Sequence, residues 1–497
     1  MFISTRGGSQ SVTSAEAIIA GLAENGGLFV PEEIPQLSLD QIAEWVDLTY
    51  QQRALAILRL FLTDYSEGEL KQCIDSAYSV PKFDAAAIAP LKTVKENFSV
   101  LELWHGPTSA FKDMALQLLP RLLSTALVKT EKQEKIVILV ATSGDTGKAA
   151  LEGFQDVNQI EIITFYPEDG VSAIQKLQMI TQEGKNVAVV AVKGNFDDAQ
   201  TGVKEIFQDT AFNQELAKQG LQLSSANSIN WGRLVPQIVY YFSAYLDGVK
   251  QNLFALGDAV NFSVPTGNFG NILAGYYAKK MGLPIGKLLC GSNANHVLTD
   301  FFEQGVYNAN RPFYKTSSPS MDILVSSNLE RLLYLATQGD SEKVTTWMTE
   351  LKTKGDYAIT GDLAKALSED FYALWANETE ITATIHEVFT ASSYLLDPHT
   401  AVAWHTAKVY RERTGDERHC IVVSTASPFK FNDSVIEALK PGASSGKDEF
   451  ALLDTLTDLS TWQAPIGLAS LKGKAKLHQR CCEKGAMKET VLAILEK

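Results

Sequence analysis

Short apolar segments rich in β-branched residues recur through the middle and late parts of the chain. They occupy residues 135–141, 160–167, 186–192, 259–265 and 419–426. Between them, apolar residues return at three- and four-residue steps, which is typical of amphipathic helices. Wholly apolar strands that alternate with helices predict parallel sheets covered on both faces, so we expect an α/β fold.

The two ends of the chain have different patterns. Residues 1 to about 90 are mostly helical in pattern, most clearly at 40–62, DQIAEWVDLTYQQRALAILRLFL. The stretch 441–449, PGASSGKDE, is rich in Gly and Ser and predicts a flexible link before the C-terminal tail. A chain of 497 residues is long enough for two or three domains.

Composition and charge exclude several classes of protein. The net charge of −14 opposes a general affinity for nucleic acids or anionic membranes. No apolar stretch approaches the roughly 20 residues that span a bilayer, and MFISTRGGSQ lacks the features of a secretion signal. Five scattered cysteines suit a reducing compartment, and the histidines show no HExxH spacing. We therefore expect a cytoplasmic protein without a bound metal.

Three loops follow apolar strands and resemble one another: ATSGDTGKAA (141–150), PTGNFGNILAGYYAKKMG (265–282) and STASPFKF (424–431). Ligands of open α/β sheets bind beyond the carboxyl ends of the strands. Backbone N–H groups at a Gly-rich helix start bind anions, so TGNFGN predicts a phosphate site although it lacks the P-loop spacing. Lys148 is expected to be an exposed lysine of a first helical turn. Taken singly, each loop could equally be an ordinary strand-to-helix turn.

A second anion site is indicated by SANSINWGRL, residues 225–234. Ser228, Asn230 and Arg233 offer a hydroxyl, an amide and a guanidinium group, which together suit a tetrahedral oxyanion. The alternative is a polar turn in which Arg233 forms a salt bridge.

Lys112 lies between Phe111 and Asp113, just before the apolar run MALQLL. Alone it is either a solvated lysine of a first helical turn or a partly buried amine kept for covalent chemistry. Two phosphate sites beside such an amine point to pyridoxal phosphate, which needs a lysine that can be neutral, a phosphate site and a partner for its pyridine nitrogen. Thr425 offers a hydroxyl as that partner, since STASP contains no carboxylate.

Several ordered blocks make the chain resemble threonine synthase, a family of fold-type II pyridoxal-phosphate enzymes. They are TRGG, GLAENGGLFVPEEIP, LELWHGPTSAFKDM, ATSGDTG, NSINWGRL, VPTGNFGN, DPHTAVAW and STASPFKF. The resemblance covers most of the chain and fades after about residue 440.

The resemblance implies roles for individual residues. Lys112 matches the Schiff-base lysine and main proton carrier, Thr425 the hydroxyl facing the pyridine nitrogen, and Asp145 a position near the 3′-oxygen of the cofactor. The loop that holds the cofactor phosphate through backbone N–H groups is Gly267, Asn268, Phe269, Gly270 and Asn271. The expected substrate-carboxylate residues are Thr142, Ser143 and Thr146. The expected substrate-phosphate residues are Ser228, Asn230 and Arg233.

Other residues in these blocks are expected to support the site. His105 and His399 are assigned structural roles next to it. Asp113 is expected to favour the N-terminal end of its helix. Ser427 departs from the family pattern, because several bacterial members have His at that position.

The implied fold has two open, twisted, mostly parallel sheets flanked by helices, plus a mainly helical N-terminal domain. The expected domains are an N-terminal domain (1–90), a large cofactor-binding domain (91–134 and 258–440), a small mobile domain (135–257) and a C-terminal extension on the large domain (441–497).

The implied reaction converts O-phospho-L-homoserine and water to L-threonine and phosphate. The alternatives are a related phospho-lyase or a serine or threonine dehydratase that releases a 2-oxo acid, and a non-catalytic cofactor-binding protein. NSINWGR argues against a dehydratase, and the presence of Lys112, the Gly loop and Arg233 argues against a non-catalytic protein. The expected partners are the small-molecule substrate and at most a second copy of the chain, as a monomer or homodimer.

Overall fold

The computed structural model describes residues 1–8, 10–142, 144–168 and 171–496. Its strands are β1 Phe2–Ser4, β2 Phe29–Pro31, β3 Leu91–Lys95, β4 Phe98–Glu102, β5 Lys135–Ala141, β6 Ile160–Pro167, β7 Val187–Lys193, β8 Leu221–Ser224, β9 Val260–Pro265, β10 Ile285–Ser292, β11 Val306–Asn308, β12 Asp356–Ala358, β13 Phe371–Trp375, β14 Cys420–Ser424 and β15 Arg480–Glu483.

The helices are α1 Ser14–Ala20, α2 Leu39–Ala43, α3 Tyr50–Phe61, α4 Glu67–Ala77, α5 Asp113–Leu116, α6 Leu119–Lys129, α7 Asp145–Phe154, α8 Ala173–Ile180, α9 Phe196–Gln208, α10 Thr210–Lys218, α11 Trp231–Lys250, α12 Gly270–Lys280, α13 Val297–Gln304, α14 Leu329–Ala336, α15 Ser341–Lys354, α16 Gly361–Asp370, α17 Glu378–Ser392, α18 Pro398–Thr414, α19 Asn432–Leu439, α20 Glu449–Ser460, α21 Ile466–Ala469 and α22 Met487–Leu495. None of them, over the described ranges, is long and apolar enough to cross a membrane.

The N-terminal region is mainly helical, as the sequence predicts. Helices α1 to α4 each begin with a capping box, in which a Ser or Thr caps the helix and a Glu or Gln three residues later bonds back to it. Strands β1 and β2 pair antiparallel beside them. The apolar faces of these helices join the main hydrophobic core.

A six-stranded sheet has the order β13-β10-β9-β14-β4-β3. All neighbours are parallel except β3 and β4, which are antiparallel. Every residue of the central strands β9 and β14 is buried, which explains why both are mainly apolar in sequence. Their carboxyl ends lead into the TGNFGN and STASPFKF loops.

A five-stranded, fully parallel sheet has the order β15-β7-β6-β5-β8. The carboxyl end of β5 leads into ATSGDTG and helix α7. Lys430, which follows β14, lies 2.8 Å from Asp145, which follows β5, so the carboxyl ends of strands from the two sheets face each other.

The C-terminal tail corrects one expectation. Its first part packs on the six-stranded sheet, as expected, through buried side chains of α20 and α21. The last part does not, because β15 pairs in parallel with the edge strand β7 and α22 packs against α9. Residues such as Cys482 and Val491 thereby cover apolar side chains of the five-stranded sheet. The tail therefore contacts both sheets rather than the large one alone.

The domain boundaries stay predictions. All strands of the six-stranded sheet lie within 91–134 and 258–440, and four of the five strands of the other sheet lie within 135–257. Helix α11 was assigned to the small domain, yet it packs against α3 and α12, outside the five-stranded sheet.

Candidate functional site

Lys112 precedes helix α5 and lies at the junction of the two sheets. The loop before it is fixed to the end of β14, since the Phe111 N–H donates to the Thr425 carbonyl at 2.8 Å. The Lys112 side chain is only 11% exposed, and its Nζ lies 3.8 Å from Oδ2 of Asp145. Nζ also donates to Oγ of Ser320 at 3.1 Å. Of the two interpretations of this lysine, the geometry favours the partly buried amine.

Burial lowers the pKa of Lys112 to about 8. The carboxylate of Asp145 opposes this shift, whereas the positive charges of Lys430 and Arg233 add to it. A substantial fraction of the amine is therefore neutral near physiological pH, which is the form that attacks an aldehyde.

Asp145 is the first residue of α7 and accepts three side-chain contacts. Lys430 Nζ lies 2.8 Å from its Oδ1, the Gln175 amide donates to Oδ1 at 2.9 Å, and Ser320 Oγ donates to Oδ2 at 3.2 Å. Burial alone would raise the pKa of this carboxyl, but Lys430 and Lys112 outweigh burial and hold the pKa well below its usual range. Asp145 is thus a fixed negative charge beside Lys112.

Sequence reasoning missed three of these neighbours. Lys430 carried a usable signal, because it lies between Phe429 and Phe431 after a predicted strand, the same kind of setting that singled out Lys112. Gln175 and Ser320 carried none, since one belongs to an ordinary amphipathic helix and the other to a polar loop.

The predicted substrate-carboxylate loop follows β5. Oγ1 of Thr142 accepts from the N–H groups of Gly144 and Gly147, both at 2.9 Å, so this hydroxyl fixes the start of α7. Thr146 is half-buried, and Ser143 lies outside the described residues. The expectation for Lys148 is wrong: it is buried, and its amine binds Glu152 at 2.8 Å and the Gln182 amide oxygen.

The predicted cofactor-phosphate loop, Gly267–Asn271, joins β9 to α12. A Cβ on Gly267 would lie 2.9 Å from the carbonyl oxygen of Ser320, so only glycine fits there. Phe269 has φ of +64° immediately before the helix starts at Gly270. The Asn271 side-chain oxygen accepts from Tyr240 and Tyr241 at 2.7 and 2.8 Å. The Asn271 oxygen is thus held inside the protein, while its buried Nδ2 has no hydrogen-bond partner among the described residues and is free to donate to an anion beside the backbone of the loop.

Arg233 lies in the first turn of α11 and is 4% exposed. It donates to the Ala226 carbonyl, while its Nε has no hydrogen-bond partner among the described residues. Burial lowers its pKa to about 10, so it remains charged. Within the described ranges no carboxylate pairs with it, so the predicted alternative of a salt bridge is wrong. A buried, unpaired guanidinium requires an anion.

The other two residues of this motif, Asn230 and Ser228, differ in which of their polar atoms already have hydrogen-bond partners. The Asn230 side chain caps α11, since its Oδ1 accepts from the Gly232 N–H at 2.8 Å and its Nδ2 donates to the Ile18 carbonyl at 2.9 Å. Ser228 is half-buried, and its carbonyl accepts from Asn328 at 3.2 Å. Arg233 is therefore the strongest anion-binding group of the three.

The two histidines have the supporting contacts that were expected. His105 binds Asp84 at 2.5 Å and Glu102 at 2.9 Å. His399 bonds through Nδ1 to Asp397 at 2.7 Å, and its Nε2 accepts from the backbone N–H of Ser320 at 3.2 Å. His399 thus fixes the residue that contacts both Lys112 and Asp145.

Asp113 does more than favour a helix end. It is fully buried and accepts from the N–H and the hydroxyl of Thr108, both at 2.8 Å, while burial raises its pKa to about 7. It therefore fixes the HGPTS loop.

Thr425 and Ser427 are both buried at the end of β14, and the Ser427 hydroxyl has no partner among the described residues.

These residues fit pyridoxal phosphate. The site combines a buried amine with a lowered pKa, a backbone loop that excludes a Cβ at Gly267, and a buried hydroxyl-bearing residue, Thr425, on the loop joined to Lys112. These are the groups that an aldehyde, a phosphate and a pyridine nitrogen require.

Comparisons with known families agree with this fit. Residues 1–78 match the family model for the threonine synthase N terminus, and residues 81–425 match that for pyridoxal-phosphate dependent enzymes. Residues 400–472 match the model for the threonine synthase C-terminal region. The similarity thus extends past residue 440, where the sequence resemblance was expected to fade.

Individual relatives give the same result. Threonine synthase-like 1 of Homo sapiens is 44% identical over 437 residues, covering 86% of this chain but 58% of its own, so the chain spans about three fifths of that protein. Threonine synthase of Pseudomonas aeruginosa is 40% identical, covering 88% of this chain and 90% of its own. The crystal structure of PLP-bound threonine synthase from Brucella melitensis superposes with a TM-score of 0.87 at 38% identity, covering 99% and 98% of the two chains. The chain therefore belongs to the threonine synthase family of pyridoxal-phosphate-dependent enzymes.

Proposed function

We propose that the protein converts O-phospho-L-homoserine and water to L-threonine and phosphate, the last step of threonine biosynthesis. The observation that carries this proposal is Arg233, a buried guanidinium group without a carboxylate partner among the described residues. It lies close enough to Lys112 to lower the pKa of that amine. An anionic group on the substrate, held by Arg233, would place the adjoining carbon atoms near Lys112.

The residues that would hold pyridoxal phosphate are those the sequence predicts. Lys112 would bind it covalently, Gly267–Asn271 would bind its phosphate through N–H groups, Asp145 would lie near its 3′-oxygen and Thr425 would face its pyridine nitrogen. When bound, pyridoxal phosphate withdraws electrons from the substrate and so lowers the cost of removing protons next to the amine-bearing carbon.

Lys112 is the proposed proton carrier. Its free amine would take a proton from Cα of the bound substrate and would later deliver a proton at Cγ, the carbon that the phosphate has left. A pKa of about 8 suits both tasks, because neutral and protonated forms coexist at working pH. Asp145 stays ionised beside it and accepts from Ser320, so the surroundings of the amine change little as protons move.

Two groups would orient the substrate. Arg233, with Ser228 and Asn230 at the start of its helix, would hold the phosphate until it leaves Cγ. Thr142, Ser143 and Thr146 would hold the substrate carboxylate at the start of α7. Because these groups belong to loops from opposite sides of the site, a substrate bound by both is held in one orientation.

The proposed reaction is tested by product analysis. Purified protein is incubated with pyridoxal phosphate and O-phospho-L-homoserine, and phosphate, threonine and 2-oxobutanoate are measured together. Equal phosphate and threonine support the synthase. Phosphate with 2-oxobutanoate supports the alternative, a phospho-lyase that releases the product before water adds. No phosphate from O-phospho-L-homoserine, together with 2-oxobutanoate in a parallel incubation with L-threonine, supports a dehydratase and refutes the role of Arg233.

The protein is further proposed to act in the cytoplasm, since its five cysteines are all free. It would work as a monomer or a homodimer, which sedimentation of the loaded enzyme distinguishes.

A further inference from the structure

Asn328 immediately precedes α14, but its side chain does not cap that helix. Asparagine at this position usually bonds to the N–H groups of its own first turn. Here the residue is completely buried, its Nδ2 donates to the Ser228 carbonyl at 3.2 Å, and its Oδ1 accepts from Arg331 Nη1 at 2.5 Å. The side chain thus binds the loop before Arg233 and the Arg331 side chain, rather than the backbone N–H groups of the first turn of α14.

The backbone of the same segment binds the predicted cofactor-phosphate loop. The Asn328 N–H donates to the Asn268 carbonyl at 3.1 Å, and Ser326 Oγ donates to the Gly267 carbonyl at 2.7 Å. In a planar trans peptide the N–H of the next residue points away from the carbonyl. The N–H groups of Asn268 and Phe269 are therefore turned away from residues 326–328, and so are free for a phosphate.

Arg331 completes the connection. It is completely buried, and its Nη2 donates to the Ile229 carbonyl at 2.6 Å while its Nε donates to the Phe29 carbonyl at 2.9 Å. Asn328 and Arg331 together hold two successive carbonyls, those of Ser228 and Ile229. The loop that leads to Arg233 is thus fixed by the segment that also fixes Gly267 and Asn268.

We propose that Asn328 is a positioning residue shared by two phosphate sites, with its backbone N–H orienting the cofactor-phosphate loop and its side-chain amide orienting the substrate-phosphate loop. The second half rests on the proposed function, because it takes the loop before Arg233 as the substrate-phosphate site. A side-chain substitution of Asn328 keeps its backbone N–H and so changes only the second half. The first half is perturbed through Ser326, whose hydroxyl holds the neighbouring carbonyl of the same cofactor-phosphate loop.

Two variants separate them. Ser326→Ala removes the hydroxyl from the Gly267 carbonyl and leaves every contact of Ser228 and Ile229 in place. Asn328→Asp puts a carboxylate oxygen against the Ser228 carbonyl, while it keeps the backbone N–H and an acceptor for Arg331. Arg331→Lys, which loses the donor to Ile229, is a second variant of the substrate-phosphate loop.

Two binding measurements report on the two loops. The first is the affinity of the cofactor-free protein for pyridoxal phosphate, by fluorescence titration. The second is the affinity of borohydride-reduced holoenzyme for inorganic phosphate, by calorimetry. In this form the reduced cofactor already fills its own site.

Loss of one hydrogen bond corresponds to about a tenfold change in a dissociation constant. We expect Ser326→Ala to weaken cofactor binding about tenfold and phosphate binding less than twofold. Asn328→Asp and Arg331→Lys are expected to show the reverse.

A purely structural role gives a different result. Lower melting temperatures with both dissociation constants unchanged, or with both changed equally in every variant, would overturn the proposal. If wild-type reduced holoenzyme binds no phosphate, the substrate site of the proposed function is refuted together with this inference. If it binds phosphate and Asn328→Asp binds it equally well, only the inference is refuted.

Discussion

Nζ of Lys430 lies 2.8 Å from Oδ1 of Asp145, in an ion pair whose side chains are 0% and 3% exposed. The lysine follows β14 of the six-stranded sheet, whereas the aspartate starts the helix after β5 of the five-stranded sheet. Lys430 also donates to the Thr108 carbonyl at 2.8 Å, in the loop that leads to Lys112. One buried amine therefore joins both sheets to the loop of the proposed covalent lysine.

Lys430→Met tests this connection. Leaving one partner of a buried ion pair without its counter-charge costs about 3–5 kcal/mol. Because Asp145 keeps Lys112 at 3.8 Å, we expect a loss at the lower end of that range, about 3 kcal/mol. The substitution also removes a positive charge that lowers the pKa of Lys112, so that pKa is expected to rise. Urea unfolding measures the first effect, and the pH dependence of pyridoxal-phosphate capture measures the second.

Lys408→Met is the matched control for Lys430→Met. Lys408 binds Glu387 at 2.7 Å, but both side chains are largely exposed. A surface pair of this kind contributes at most about 1 kcal/mol. Equal losses of stability in the two variants would show that the buried pair has no special role.

Lys112 is expected to control the pH dependence of cofactor capture. Because only the neutral amine attacks the aldehyde, the capture rate should rise with pH and level off above a midpoint near the pKa of about 8. A midpoint near that of an ordinary lysine would contradict the burial argument.

Lys112→Ala tests the covalent role of this lysine directly. After borohydride treatment, mass spectrometry should find no cofactor adduct in this variant. An adduct on Lys430 would mean that Lys430, and not Lys112, is the covalent lysine.

The sequence predicted the fold well where strands are mainly apolar. Strands β6, β9 and β14 are buried nearly throughout, and β5 and β7 are buried at 136–140 and 189–192, so a mainly apolar run is their direct signature. Strand β10, IGKLLCGS, was missed because Gly and Lys interrupt its apolar residues at half-buried positions. Strand β15, RCCE, was missed because only Cys482 is buried in it and its pairing with β7 joins residues far apart in the chain.

The site was predicted where one motif carries its own chemistry and missed where partners come from elsewhere. Lys112, Gly267 and Arg233 have local signals: a lysine before an apolar run, a Gly-rich helix start and a polar cluster. Ser320 contacts Lys112 across 208 positions of the sequence, and only the folded chain brings them together. Lys148 was misjudged because its amine bonds to Gln182, which lies 34 positions away and has no signal near Lys148 in the sequence.

Arg233→Ala should weaken binding of the phosphorylated substrate without weakening binding of the cofactor. Hydrogen bonds to a charged group contribute about 1.5–3 kcal/mol, so we expect KM for O-phospho-L-homoserine to rise roughly 10- to 150-fold. Steady-state kinetics measure this change. Arg121→Ala is the control, since Arg121 donates to the Gly153 carbonyl on the far end of α7 and its loss should leave KM unchanged. An unchanged KM in Arg233→Ala would refute the substrate-phosphate site.

His105 should stabilise the protein in a pH-dependent way. Burial lowers its pKa, but hydrogen bonds and charges of Asp84 and Glu102 outweigh burial and raise the pKa to about 8. A folded-state pKa above the unfolded value of about 6.5 gives stability that is complete below pH 6.5 and is lost as pH rises through 8. The stability difference between wild type and His105→Gln should therefore be about 2 kcal/mol larger at pH 6 than at pH 9.5.

His419→Gln provides a control of opposite sign for His105. Burial lowers the pKa of His419 to about 4, so its contribution is complete above pH 6.5 and is lost as pH falls toward 4. Urea titrations at several pH values measure both variants. Parallel pH profiles for the two variants would contradict the assignment of charged His105 and neutral His419.

Deleting residues 477–497 should loosen the five-stranded sheet and spare the six-stranded one. The deletion removes β15 from the edge of β7 and uncovers the apolar cluster that Cys482, Met487 and Val491 complete. An uncovered parallel edge strand favours association with other chains. We expect faster hydrogen exchange in β7 and concentration-dependent aggregation, while Lys112 still captures pyridoxal phosphate. Lys488→Ala, which removes a partly exposed ion pair with Asp209 and a contact with the Phe212 ring but keeps β15 in place, should leave exchange in β7 unchanged. Unchanged exchange after the deletion would mean that the tail lies on the sheet without stabilising it.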